Sequence, residues 1–181
     1  AGGGNITMLG SANTGTGDNF GTVAQIGHGG RNQEGTKSGD IRIGAANNIT
    51  MTGGNTRYSY VQIGHGGNDS SSTSINGDTS GSIEIDASGT LTLNGGGVDA
   101  YAQIGHGGFQ NNGAHGVAGD KIDVTATGGV SLNGAGTRAY AQIGNGGMGG
   151  SVAGNTQGNI ILDTDGTLTL MSGGNTDAYT Q

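Results

Sequence analysis

One heptapeptide recurs with a histidine at its centre. AQIGHGG begins at Ala24, VQIGHGG at Val61 and AQIGHGG at Ala102, while AQIGNGG at Ala141 carries Asn145 where the others have His28, His65 and His106. Imidazoles at matched positions of a repeat are the residue type for a column of metal sites. The chain has no Cys, no carboxylate keeps a fixed offset from the histidines, and Asn145 would break such a column. The reading is therefore a chain corner and no metal or cofactor. A residue flanked by glycines, such as Asn145 between Gly144 and Gly146, needs tolerance of positive φ or bridge geometry. It also profits from a side-chain N–H aimed at a carbonyl, and His and Asn share both properties. His115 has no counterpart in the other copies.

Other chemistry is thinly represented. Asp163 and Asp165 form the only close carboxylate pair in a strand-to-turn context, and Asp86 repeats one of them without company. Glycoside cleavage needs two converging carboxylates, so a polysaccharide-degrading role is disfavoured. No Ser/His/Asp arrangement stands out, the histidines are repeated instead of unique, and the expectation is that the protein is not an enzyme. GGGVDAY does not fit the calcium-binding G-G-x-G-x-D run. TLT at Thr90–Thr92 and Thr167–Thr169 hints at an ice-binding threonine array, but the first Thr of each is aligned elsewhere with Asn48 and Gly129. Ice binding therefore ranks low.

The elements that must position these residues follow from the period. Gln25, Gln62, Gln103, Gln142 and Gln181 are separated by 37, 41, 39 and 39 residues. Two apolar series keep step: Ile41-x-Ile43, Ile83-x-Ile85, Ile122-x-Val124 and Ile160-x-Leu162, then Ile6-x-Met8, Ile49-x-Met51, Leu91-x-Leu93, Val130-x-Leu132 and Leu168-x-Leu170. Alternation of apolar and polar residues is the period of a half-buried strand. Each unit thus predicts three short strands, GxIxI, xLTL and AYAQIG, joined by Gly and Asn turns such as Gly53–Asn55. The length variation falls after each GHGG: 10 residues in RNQEGTKSGD, 15 in NDSSSTSINGDTSGS. That segment is polar and reads as a lateral surface loop.

A period near 39 with three strands and no helix signal predicts an all-β parallel β-helix, a solenoid whose coils bury a shared column. One coil per repeat is preferred over two coils of half the length, because the loops offer few inward apolar residues (Ile75, Val117, Val152). Right-handed winding is the default for parallel crossovers.

Composition agrees and excludes much else. Of 181 residues 44 are Gly, none is Pro, Cys or Trp, about 10% are charged, and the net charge is −7. Gly without Pro or a G-X-Y period is not collagen, no apolar run reaches the roughly 18–20 residues of a membrane span, and six basic residues make no phosphate-binding face for nucleic acid.

Alternation then assigns faces. In the AYAQIG strand Ile26, Ile63, Ile104 and Ile143 point inward with the small residue two before each, and are expected to be almost fully buried. Gln25, Gln62, Gln103 and Gln142 point outward as an amide ladder. Tyr60, Tyr101, Tyr140 and Tyr179 form an outward aromatic column, stabilising by cross-strand stacking and the candidate contact strip for an extended polysaccharide. Asp99, Arg138 and Asp177, each two residues before a Tyr, and the aligned Arg42, Glu84 and Asp123 read as exposed ion pairs that set register.

GSIEIDASGTLTLNGGGVDA, from Gly81 to Ala100, resembles the G-x-I-x-I-x-A-x-G-x-L-x-L coil of filamentous-haemagglutinin-like exoproteins, and YAQIGHGG is similar to repeats of very large bacterial exoproteins and biofilm-matrix adhesins of that group. The resemblance covers the whole chain. It implies a right-handed β-helical stalk, export across an outer membrane, and a role in adhesion or matrix assembly through exopolysaccharide or neighbouring cells. The unit near 39 residues is about twice the usual coil of that group, which supplies no binding residues to carry over.

Residues 1–181 therefore read as a single β-solenoid segment of a longer repeat array, since both ends fall inside a repeat. The expected function is a secreted or cell-surface adhesive stalk, whose partners are exopolysaccharide or a cell surface and further repeats of the same chain or like subunits. The alternative is a subunit of a self-assembling extracellular filament or sheath.

Overall fold

The computed structural model describes residues 3–11, 21–68, 77–149 and 155–181, without the side chains of residues 45 and 46. The strands are, in chain order, β1 (Ile6–Leu9), β2 (Val23–Ile26), β3 (Lys37–Ser38), β4 (Ile41–Ala46), β5 (Ile49–Thr52), β6 (Tyr60–Ile63), β7 (Thr79–Ser80) and β8 (Ile83–Ala87). They continue as β9 (Thr90–Asn94), β10 (Ala102–Ile104), β11 (Lys121–Ala126), β12 (Gly129–Asn133), β13 (Tyr140–Ile143), β14 (Asn159–Asp163), β15 (Leu168–Met171) and β16 (Tyr179–Thr180). No helix occurs among the described residues, so none is long and apolar enough to cross a membrane.

All strand pairs are parallel and join equivalent residues of successive repeats. The GxIxI strands form a four-stranded sheet in the order β4-β8-β11-β14, and the xLTL strands a five-stranded sheet, β1-β5-β9-β12-β15. The AYAQIG strands form a second five-stranded sheet, β2-β6-β10-β13-β16. Ile83 pairs with Ile122, Leu91 with Val130 and Gln62 with Gln103. Each repeat is therefore one coil of a parallel β-solenoid.

The lateral segment also stacks instead of looping freely. β3 pairs with β7, and bridges continue the strip from Thr79 to His115 and from His115 to Thr156. A second strip of bridges joins Gly29, Gly66, Gly107 and Gly146. Val117 is half-exposed and adds nothing to the core. Ile75, Val152 and residues 69–76 of the longest loop lie outside the described residues.

The three main sheets enclose one apolar column, with Ile49, Ile83, Ile85, Leu91, Leu93, Ile104 and Ile122 inside. Ile63 and Ile104 are 0% exposed and Ile143 is 5% exposed, as alternation requires. Ile26 is 36% exposed because β2 is the outermost strand of its sheet.

The outer face of the AYAQIG sheet corrects the surface reading. Tyr60, Tyr101 and Tyr140 point away from the main core, yet all are 0% exposed, and Tyr179 is half-buried. They form a second apolar cluster with Phe109, packed by Tyr58, Met148 and Tyr179. The physical reason is the corner after each strand, which folds back over that face: a side chain at Gly67, Gly108 or Gly147 would collide with the phenol of Tyr60, Tyr101 or Tyr140. The tyrosines are core, not a contact strip.

Candidate functional site: the covered face and its corner

Four ladders lie under or beside this second layer. The first is the ring stack. Tyr60 and Tyr101 lie 4.6 Å apart, Tyr101 and Tyr140 4.8 Å, and Tyr140 and Tyr179 4.9 Å, all stacked with nearly parallel ring planes. Those spacings are set by the separation of strands, about 4.8 Å. Burial pushes the phenols of Tyr60, Tyr101 and Tyr140 above their ordinary range, against slight help from the backbone amides of Asn68, Phe109 and Met148. None of the three hydroxyls makes a hydrogen bond of normal geometry.

Glutamines form the second ladder, and the expected amide-to-amide chain is mostly replaced by bonds to the corner backbone. Gln62 Nε2 donates to the carbonyls of Gly105 at 2.9 Å and Gly107 at 3.1 Å. Gln103 Nε2 does the same to Gly144 at 3.0 Å and Gly146 at 2.8 Å. Gln25 repeats the pattern to Gly64 at 2.9 Å and adds the one amide-to-amide contact, to Gln62 at 3.4 Å. Gln25, Gln62 and Gln103 thus tie their own coils to the corner of the next and satisfy the carbonyls of Gly64, Gly105 and Gly144, whereas Gln142 Nε2 donates to the Asn145 carbonyl of its own coil at 3.3 Å.

The histidines are the third. His28 and His65, and His65 and His106, stack with centroids 5.0 Å apart. The backbone N–H of His28 donates to Nδ1 of His65 at 2.9 Å, and that of His65 to Nδ1 of His106 at 3.0 Å. An accepting Nδ1 places the ring hydrogen on Nε2, which donates to the carbonyl of Gly39 from His65 and of Gly81 from His106, both at 2.8 Å. At the fourth corner Asn145 reproduces both bonds: Oδ1 accepts from the His106 N–H at 2.9 Å, and Nδ2 donates to the Gln157 carbonyl at 2.8 Å. This accounts for the His-to-Asn exchange. The expected positive φ is corrected, since the flanking glycines carry it and the His and Asn positions do not.

The fourth ladder is charged. Gly21, Tyr58, Asp99, Arg138 and Asp177, each two residues before the ring position, all have φ between 53° and 69°. The chain turns there in the left-handed region that only Gly enters without strain. Asp99 is not exposed as expected: its side chain is 0% exposed, held by Arg57 Nε at 2.7 Å and Arg138 Nη2 at 2.9 Å. Arg138 Nε adds an ion pair at 2.6 Å. Asp99→Asn keeps the turn tolerance and loses the charge. It should cost about 1–2 kcal/mol in urea unfolding, and the loss should persist at high salt because the carboxylate is dry.

Little repeated chemistry remains on the outside. The GxIxI sheet shows solvent a charged face with Arg42 on Glu84 at 2.9 Å and Lys121 on Asp123 at 2.9 Å. The xLTL sheet shows a neutral one. Its register aligns Thr7, Thr50, Thr92, Ser131 and Thr169 in one unbroken row, of which Thr7 is exposed and the others half-exposed. A shallow cleft over Gly129 is lined by Thr90, Thr92, Ser131, Thr167 and Thr169. The row's signal in the sequence is the middle Thr or Ser of each xLTL strand, not the flanking positions where Asn48 and Gly129 interrupt the threonines.

Asp163 and Asp86 sit in one column of the charged sheet, separated by Thr125. Among the described residues no group of three His, Cys, Asp or Glu is placed to hold a metal ion. Compared with known protein families, curated proteins and solved structures, the chain finds no match, and what stands is a parallel β-solenoid of one coil per repeat.

Proposed function

We propose that this solenoid is a rigid, non-catalytic spacer outside the cell, part of an adhesin-like exoprotein, with a weak contact surface for neutral exopolysaccharide. One observation carries the reading. The residues repeated most faithfully, Tyr, Gln, His and the corner glycines, are consumed in joining coil to coil. A chain that uses its repeated chemistry internally gains length and stiffness from each copy. The resemblance to filamentous-haemagglutinin-like exoproteins supports the location. With the tyrosines buried, the neutral hydroxyl row is the surface left that presents one similar group per coil, and repetition multiplies a weak contact.

The triple variant Thr50→Val, Thr92→Val, Thr169→Val keeps β-branched strand residues and deletes the hydroxyls. Retention of the folded protein on an insoluble neutral glucan is expected to fall several-fold, while Arg42→Ala leaves it unchanged. Equal retention of the triple variant would move the contact elsewhere. No retention at all, together with concentration-dependent growth of rods in sedimentation, would favour the filament subunit instead.

A further inference from the structure

We propose that the histidine column is an acid-sensitive seam: acidification opens the corner contacts of the first coil with the second and of the second with the third, and Asn145 makes the contact of the third with the fourth acid-resistant. The geometry leaves the rings no room for a second proton. Nδ1 of His65 and of His106 each accepts a backbone N–H from the preceding coil. A proton on Nδ1 would set two donors against each other at 2.9–3.0 Å and break the coil-to-coil bond. Neighbouring imidazoliums would also stand 5.0 Å apart. Asn145 makes the same two bonds with an amide that does not titrate.

The surrounding charges do little to accommodate imidazolium at the second corner. Among the described residues His65 faces His28 and His106 and no carboxylate. His106 faces His65, His115 and one carboxylate, Asp120, whose Oδ2 is engaged by the backbone N–H groups of Gly81 and Val117, each at 2.9 Å. His115, in the lateral strip, bonds Thr79 through Nδ1 at 2.9 Å and faces Asp78. Burial holds His65, His106 and His115 below the ordinary imidazole range, outweighing the Gly39, Gly81 and Asn111 carbonyls.

The sign follows. Above about pH 6.5 folded and unfolded chains are both neutral at these rings, and the stabilisation is complete. As pH falls below that value the unfolded chain takes protons first, so folding weakens by up to about tenfold per pH unit for each histidine, until its folded-state value is reached.

The test compares the native chain with His65→Asn/His106→Asn. Between pH 7 and pH 5 the folding constant of the native chain is expected to fall steeply, and the double variant to lose up to about a hundredfold per pH unit of that slope, two protons' worth. Hydrogen exchange, corrected for intrinsic rates, should lose protection on acidification at the amides of His28 and His65, which donate to imidazole Nδ1, and keep it at the amide of His106, which donates to Asn145. An unchanged slope in the double variant, or uniform protection at pH 5, would overturn the proposal. Should the variant not fold at pH 8, nitrogen NMR of the native chain decides. The expected result is His65 and His106 with protonated Nε2 and bare Nδ1, taking a proton only as protection is lost. Ordinary titration near pH 6.5 with protection intact would refute it.

Discussion

Ile104→Asp should lower stability by about 4–5 kcal/mol, whereas Ile26→Asp, at the same place in the repeat, should cost about 1 kcal/mol or less. Ile104 is 0% exposed, pairs in register with Ile63 and Ile143, and lies in the main apolar column. Aspartate there forfeits the burial of a full aliphatic side chain and brings a carboxyl into a site with no partner. Ile26 is 36% exposed on the outermost strand, where the same carboxylate reaches water. Urea unfolding followed by circular dichroism reads both losses. Because each coil contacts only its neighbours, the Ile104 variant should also show a broader transition, as coils on either side of the defect uncouple. Equal losses at the two positions would mean that the column is not dry at its centre.

That contrast marks how far the sequence carries. The doublets Ile83-x-Ile85 and Leu91-x-Leu93 revealed which side of each strand faces the core, and the 39-residue step revealed that equivalent residues stack. Both are local periodicities, legible without knowing anything distant in the chain. The second layer is not periodic in that sense. Alternation puts Tyr101 on the far side of its strand from Ile104, but it is silent on whether another segment lies over that side. A faint signal existed: Phe109 and Met148 follow the GG of two corners, apolar residues in an otherwise polar segment, and both join the tyrosine cluster. Asp99 looked exposed for the same reason, since nothing local announces two arginines from adjacent coils closing over it. The His-to-Asn exchange was half legible. A donor to a carbonyl could be inferred from the residue pair, but the matching acceptor, Nδ1 or Oδ1, needs the coil spacing to place a backbone N–H beneath it.

The tyrosine stack separates packing from hydrogen bonding. Tyr101→Ala should cost about 3–5 kcal/mol, the usual loss for a buried aromatic ring. Its ring is clamped between Tyr60 at 4.6 Å and Tyr140 at 4.8 Å, and its removal leaves a gap that neither neighbour can close, because each is held in its own coil by strand pairing. Tyr101→Phe should lie within about 1 kcal/mol of the native chain, on either side. The Tyr101 hydroxyl abuts the corner at Gly108 without a hydrogen bond of normal geometry, so deleting it removes a buried polar group that gives little back. Chemical denaturation of the three proteins at one pH supplies the comparison. Loss of stability in the phenylalanine variant as large as in the alanine variant would show that the hydroxyl, not the ring, holds the corner down. A small loss in both would mean that the second layer is dispensable, and that the main column alone keeps the coils in register.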